Sequence, residues 1–109
     1  MSTKLAPPIA TYFAASNAHD PAACADCFTE DAVVLDERRE RRGIADIRLW
    51  KQEVIEKYRM TVDVVGITES AGASIVTGRV SGDFPGSPID LRYAFTLDDG
   101  RIARLEIVP

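Results

Sequence analysis

The segment FTEDAVVLDE, from Phe28 to Glu37, is the stretch most suggestive of chemistry, because a β-prone run ends there in two adjacent carboxylates. In a strand, Ala32, Val34 and Asp36 share one side, since side chains alternate between the two faces. Asp36 then continues an apolar file at its far end. A carboxylate held at the mouth of a cavity can act as a base. A solvated carboxylate at a strand end is the alternative, and alternation alone favours it.

The two cysteines, Cys24 and Cys27, have the Cys-x-x-Cys spacing of redox and metal sites. A redox motif of this kind normally begins a helix, where the helix dipole lowers the thiol pKa. Here the pair lies within a predicted helix with Asp26 between the thiols, and that acid would raise a thiol pKa. We interpret both cysteines as small, partly buried helix residues and expect neither a metal site nor a cofactor.

The arginine-rich run ERRERR, residues 37–42, could suggest a polyanion site, but it also contains Glu37 and Glu40. In a chain with a net charge of −4, internal pairing on a solvated edge is the better interpretation, and no nucleic-acid partner is expected. His19, the single histidine, lies beside a predicted helix cap, and we interpret it as a turn residue. Neither a phosphate-binding glycine loop nor a nucleophile triad is visible.

Length and composition predict one soluble domain: the chain has 109 residues, 46% apolar and 28% charged. Apolar runs fall short of the roughly 20 residues that a membrane span needs. Pro7 and Pro8 interrupt the apolar N-terminal segment, so we interpret it as a helix and not an export signal. A cytoplasmic location is the default expectation.

Two helices precede the first strand. Residues 8–18 have apolar positions on one helical face, and Asp20 and Pro21 suit the start of a short helix that ends near Phe28. Residues 29–31 are predicted to turn. An extended segment follows from Ala32 to about Arg42, and Gly43 ends it.

The segment IADIRLWKQEVIEKY, residues 44–58, is the clearest helix. Its apolar face has the spacing of three and four that an amphipathic helix requires, whereas Lys51 is assigned to the polar remainder. This apolar face comprises Ile44, Ile47, Trp50, Val54 and Tyr58. Residues 61–69, 73–83, 88–97 and 101–108 then alternate with period two and are joined by short turns, which predicts an antiparallel meander. The order of elements indicates an α+β fold in which a curved antiparallel sheet wraps around the long helix and leaves a conical hollow.

Alternation also assigns the faces of the third meander strand. Ile89, Leu91, Tyr93, Phe95 and Leu97 share the face toward the helices. The preceding strand has less distinct faces, which suggests that both its sides are covered. We therefore expect a homodimer joined through the outer sheet face, with a monomer as the alternative.

The order and spacing of FTEDAVV, RRGIADIRLWK and GRIARLEI resemble the nuclear transport factor 2-like superfamily, in its SnoaL-like branch. The resemblance covers residues 1–109 as a single domain. It implies a cone-shaped α+β barrel (the cystatin-like arrangement), frequent dimers and a pocket between sheet and helices. It does not by itself choose a function.

Ketosteroid isomerase-like members of the superfamily carry a tyrosine in the first helix and an aspartate at the end of the first strand. By resemblance, Tyr12 takes the position of the hydrogen-bond donor and Asp36 that of the general base. Two departures matter. These members also have a third catalytic residue, an aspartate on a later strand. The local sequence around Asp90 resembles that position, but Asp90 lies on the strand face opposite Tyr93. Arg38 would share a side with Asp36 if alternation continued, and its charge would lower the Asp36 pKa.

The resemblance also implies a ligand pocket, and the expected ligand is a small, apolar carbonyl compound. Acid–base isomerisation or cyclisation is one predicted function. A non-catalytic ligand-binding or dimerisation domain is the other. The expected pocket residues are Phe13, Phe28, Val34, Trp50, Tyr58, Leu91, Tyr93 and Phe95.

Overall fold

A computed structural model of the protein describes residues 5–109. It contains three helices and six strands within that range, in an α+β arrangement. In chain order they are α1 (Pro7–Asn17), α2 (Pro21–Ala25), β1 (Phe28–Asp36), β2 (Arg39–Arg42), α3 (Ile44–Tyr58), β3 (Thr61–Ser70), β4 (Ala73–Ser81), β5 (Ile89–Asp98) and β6 (Arg101–Val108).

The helices begin within one residue of their predicted starts, but α2 ends at Ala25, so its predicted end near Phe28 is wrong. Pro7 and Pro8 occupy the first turn of α1, where their missing N–H groups cost no hydrogen bond. Asp20 caps α2 by accepting a hydrogen bond from the Ala23 amide at 3.1 Å. The long helix α3 spans the predicted residues and ends at Arg59 in a left-handed conformation.

The six strands form one sheet in the order β2-β1-β6-β5-β4-β3. Strands β3 to β6 are the predicted antiparallel meander, whereas β1 pairs in parallel with β6. Register shifts leave one extra residue, Val65, in β3 opposite β4, and one extra residue, Ala103, in β6 opposite β5. Such bulges bend strands, and here the sheet is curved and unclosed.

The sequence predicted one continuous extended segment from Ala32 to Arg42, but the structure has a hairpin of two strands there. The turn predicted at residues 29–31 is also wrong. Those three residues belong to β1, which begins at Phe28. The chain then reverses at Glu37 and Arg38, both with positive φ (53° and 63°), and returns as β2. A two-residue turn of this handedness matches the twist of a hairpin, but it usually contains glycine or asparagine, so the residue types Glu37 and Arg38 did not indicate it.

The core lies between the concave face of the sheet and the helices. Tyr12 and Phe13 from α1 interlock with Phe28 and Phe95, with ring centroids 5.2–5.9 Å apart in edge-to-face pairs. Within residues 5–109, no helix is both long and apolar enough to cross a membrane.

Candidate functional site

A cavity of about 740 Å³ opens between α3 and the concave face of the sheet. Its wall is mostly apolar, with a few polar groups from β1, α3 and β5. The residues that line the cavity include Asp36, Trp50, Lys51, Tyr58, Leu91 and Tyr93. Apolar walls with a few convergent polar groups are typical of small-molecule sites.

Asp36 ends β1, and its carboxyl group lies in the cavity wall. The indole Nε1 of Trp50 donates a hydrogen bond to Asp36 Oδ2 at 3.1 Å. Burial raises the pKa of Asp36, and the hydrogen bond from Trp50 offsets only part of that rise. A carboxyl group with a raised pKa is a stronger base once it is ionised.

Arg38 does not follow Asp36 along the same side, because the chain reverses between them. Arg38 itself adopts a left-handed conformation in the turn, and its side chain is exposed. Among the ion pairs of residues 5–109, none involves Asp36. The expected depression of the Asp36 pKa by Arg38 is therefore wrong.

Lys51 is the residue that sequence reasoning misplaced. Its side chain is 1% exposed and lines the cavity, although the helical pattern assigned it to the polar face. A signal was available: Lys51 follows Ile47 by four residues and precedes Val54 by three, which is the spacing of one face. A lysine in that stripe has to bury its stem and its amine together.

The amine of Lys51 has a single hydrogen-bond partner among the described residues, the hydroxyl oxygen of Tyr12 at 3.0 Å. Its Nζ also lies 4.8 Å from the centre of the Tyr12 ring. Burial lowers the pKa of Lys51 to about 8, and the negative charge of Asp36 offsets only part of the lost hydration of the ammonium. The neighbouring Cys24 thiol supplies no counter-charge at neutral pH, since burial raises its pKa to about 11.

Tyr93 contributes a second unusual polar group. It is 1% exposed, lines the cavity, and its hydroxyl has no hydrogen-bond partner within residues 5–109. Burial raises its pKa, so the hydroxyl stays protonated and able to donate. Gly78 makes room for the ring: a Cβ there would lie 3.0 Å from Tyr93 Cε1 and 2.6 Å from a methyl group of Val62.

The structure divides the predicted site residues into two groups. Asp36, Trp50, Tyr58, Leu91 and Tyr93 lie in the cavity wall. Five others lie in the core and not in that wall, because the rings from α1, β1 and β5 pack against one another and fill that end of the concave face. These core residues are Tyr12, Phe13, Phe28, Val34 and Phe95.

The other candidates have structural roles. Asp90 is exposed and pairs with Arg79 at 3.1 Å, away from the cavity wall. His19 bonds through Nε2 to the Met60 carbonyl oxygen at 2.8 Å, from a left-handed turn. Burial raises the pKa of both thiols in the Cys-x-x-Cys segment, which disfavours redox chemistry.

The arginine-rich hairpin pairs internally and with α3. Arg42 bonds Glu40 at 2.6 Å, and Arg41 bonds Glu53 at 3.2 Å. These exposed pairs contribute little to stability, but they balance the charge of two of the four arginines, Arg41 and Arg42. Over the described part of the chain, no group of three His, Cys, Asp or Glu side chains could hold a metal ion.

The model of the SnoaL-like domain family matches residues 9–105. The chain belongs to the SnoaL-like domain family. Its long helix and curved sheet are thus features of a known fold. No curated protein matches the chain.

Solved structures agree with the family. A protein from Sinorhizobium meliloti, named "putative polyketide cyclase", is 38% identical, with a TM-score of 0.90 and coverage of 94% of each chain. A cystatin-fold protein from Novosphingobium aromaticivorans is 16% identical, with a TM-score of 0.80 over 99% of this chain and all (100%) of that one.

A third structure is a protein with a ketosteroid isomerase-like fold from Catenulispora acidiphila, in complex with trimethylamine. It is 14% identical, with a TM-score of 0.84 over 97% of this chain and 87% of that one. At such identities the likeness shows the fold alone. The fold predicted from the sequence is confirmed.

Proposed function

We propose that this SnoaL-like domain takes a small, largely apolar carbonyl compound into its cavity and transfers a proton beside the carbonyl. The observation that carries the proposal is Asp36. A partly buried carboxyl group with a raised pKa is oriented by Trp50 in the wall of an apolar cavity. Carboxyl groups placed this way are typical of general bases.

In the proposed step, the Asp36 carboxylate removes a proton from the carbon next to the carbonyl group. The electrons of that C–H bond form a C=C bond, and the carbonyl oxygen becomes an enolate oxygen. Isomerisation follows if Asp36 returns the proton to another carbon of the substrate. Cyclisation follows if the enolate carbon attacks a second carbonyl group, and the name of the Sinorhizobium meliloti relative fits that variant.

The enolate oxygen needs a hydrogen-bond donor, since its charge exists mainly after proton transfer. Sequence reasoning proposed Tyr12 for this role. The arrangement of the wall supports Tyr93 as the direct donor, because Tyr93 lines the cavity and its buried hydroxyl has no hydrogen-bond partner among the described residues. Tyr12 then has an indirect role, because it positions Lys51 through the hydrogen bond between them.

The proposal includes the expected homodimer, joined through the convex face of the sheet. Ile75 and Ala94 are direct cross-strand partners near the middle of β4 and β5, and both are only partly buried. A second copy would remove this apolar surface from water. Light scattering across a concentration series tests it, and a monomer at high concentration would contradict it.

The experiment for function has two stages. A thermal-shift screen of apolar aldehydes, ketones and lactones identifies compounds that raise Tm. Turnover of those compounds is then compared between the wild type and Asp36→Asn. We expect this variant to bind with nearly unchanged affinity and to lose about 10²–10⁴-fold in kcat, the usual contribution of a general base.

Asp90→Asn is the matched control, because Asp90 is an exposed carboxylate outside the cavity wall. It should leave kcat unchanged. Equal turnover in Asp36→Asn and the wild type would contradict the catalytic proposal. Binding without turnover in the wild type would instead favour the predicted alternative, a non-catalytic ligand-binding domain.

A further inference from the structure

In the proton transfer proposed above, the buried amine of Lys51 only holds the Tyr12 hydroxyl, and it forms no bond to the substrate. It lies on the cavity side of α3, where it is screened from bulk water. Structural lysines deep in a protein are usually paired with a carboxylate. Within residues 5–109, no carboxylate oxygen lies within 4.0 Å of this amine.

This environment disfavours the charged form of the amine. Three N–H donors of an ammonium would have one neutral partner, the Tyr12 hydroxyl, and cation–π contacts with Tyr12 and Trp50 at 4.8 and 5.2 Å. With the pKa lowered to about 8, roughly a tenth of the amine is neutral at pH 7. An ordinary lysine is neutral there in only about 0.03% of molecules.

Neutral, desolvated lysine amines are nucleophiles that form imines with carbonyl compounds. We propose that Lys51 is such a nucleophile and that it forms an imine with an aldehyde or ketone bound in the cavity. The inference rests on the proposed function only in requiring that a carbonyl compound enters the cavity. It does not require that Asp36 catalyses turnover.

Imine formation proceeds through a carbinolamine. The Nζ lone pair bonds to the carbonyl carbon while the C=O π electrons move to oxygen, which takes a proton from the Tyr93 hydroxyl or from protonated Asp36. Nζ loses a proton to the resulting base. The carbinolamine then expels its hydroxyl group as water, which takes the proton that this base has just received from Nζ, while the nitrogen lone pair forms the C=N bond of a protonated imine. One water is released, and no oxidant or reductant is needed.

The test is reductive trapping on the full chain. Benzaldehyde and acetophenone serve as probes, sodium cyanoborohydride reduces any imine to a stable amine at pH 7, and peptide mass spectrometry locates the adduct. The chain has three lysines, Lys4, Lys51 and Lys57. Lys57 is exposed at the end of α3, so it is the internal reference.

We expect labelling of Lys51 to exceed that of Lys57 by at least tenfold, to saturate with probe concentration, and to disappear in Lys51→Met. Lys57→Met should leave it unchanged. Labelling that is equal at the two lysines, or stronger at Lys57, would overturn the proposal. Should Lys51→Met fail to fold, the ratio in the wild type still decides the outcome.

Thermal shift with the same probes separates this proposal from the proposed function. A probe that raises Tm but leaves Lys51 unlabelled overturns imine formation and leaves proton transfer by Asp36 standing. Labelling of Lys51 together with full turnover in Asp36→Asn supports the imine and contradicts the role of Asp36. If no carbonyl probe raises Tm or labels Lys51, both proposals fail.

Discussion

The concave side of the sheet has two ends that differ in how they are filled. At one end, the aromatic rings of Tyr12, Phe13, Phe28 and Phe95 pack edge to face and fill the space, and none of these residues lines the cavity. At the other, α3 stands away from the strands, and a cavity of about 740 Å³ remains. We call these the packed end and the open end. Lys51 joins them, since its amine bonds Tyr12 while its side chain lines the cavity.

Burial alone does not identify a site in this molecule. Tyr12 and Tyr93 are both almost completely buried. The Tyr12 hydroxyl is satisfied at the packed end, whereas the Tyr93 hydroxyl at the open end has no partner among the described residues. An unsatisfied buried hydroxyl costs free energy unless a ligand or water completes it, so the open end is where a ligand would contribute most.

Two matched truncations on β5 give the largest expected change in stability. Phe95→Ala at the packed end should lower the free energy of unfolding by about 3–5 kcal/mol, because it leaves a cavity inside a filled core. Leu91→Ala at the open end should cost less than about 1.5 kcal/mol, because Leu91 already borders a cavity and is only partly buried. Urea denaturation measures both, and equal losses would mean that the two ends are packed alike in solution.

Lys51→Met tests the junction between the two ends. The variant should gain about 1–2 kcal/mol at pH 7, because removing the buried charge outweighs the cost of leaving the Tyr12 hydroxyl without its hydrogen-bond partner, and methionine fills a similar volume. Burial lowers the Lys51 pKa to about 8 in the folded state, from 10.5, so the unfolded chain binds more protons between these values. The free energy of unfolding of the wild type therefore rises with pH across that window. The difference in free energy of unfolding between Lys51→Met and the wild type should shrink from pH 7 to pH 10.

Comparing the variant with the wild type at each pH removes the contributions of the buried thiols and phenols. Urea denaturation at several pH values gives the difference directly. A stability difference that stays constant with pH would show that the Lys51 amine is hydrated and paired in solution.

The turn between β1 and β2 borders the open end, and a glycine in it should stabilise the protein. The turns Ala71–Gly72 and Asp99–Gly100 place glycine at the second positive-φ position, whereas Glu37–Arg38 does not. A non-glycine residue there costs about 1–2 kcal/mol. Arg38→Gly should thus raise the free energy of unfolding by about 1 kcal/mol, and Gly100→Ala, the reverse change in a turn outside the cavity wall, should lower it similarly. Loss of stability in Arg38→Gly would show that the Arg38 side chain has a stabilising contact.

Trp50→Phe should have the smallest effect. It removes the indole hydrogen bond to Asp36, which favours the carboxylate form, so the Asp36 pKa should rise above its already raised value. Carboxyl ¹³C NMR measures this titration without requiring turnover. An unchanged or lower pKa in the variant would mean that the hydrogen bond does not form in solution.

Much of the fold follows from local patterns in the sequence. The long helix was predicted with its observed ends, because apolar spacing and Gly43 define it. The meander was predicted to within two residues at each strand end, because alternation and glycine-containing turns are local signals. The hairpin at Glu37 and Arg38 was missed, since its left-handed residues are not the usual types.

Local patterns in the sequence alone predicted the three helices, the antiparallel meander, the inward face of β5 and the position of Asp36 at the end of an apolar file. Tertiary structure decided the rest. Which rings fill the concave face and which border a cavity depends on how far α3 stands from the sheet, and no local pattern encodes that distance. The ionisation of Lys51 is likewise set by groups 39 residues apart along the chain, since its one hydrogen-bond partner is Tyr12. Spacing can place a charge on a face, but only packing decides whether water can reach it.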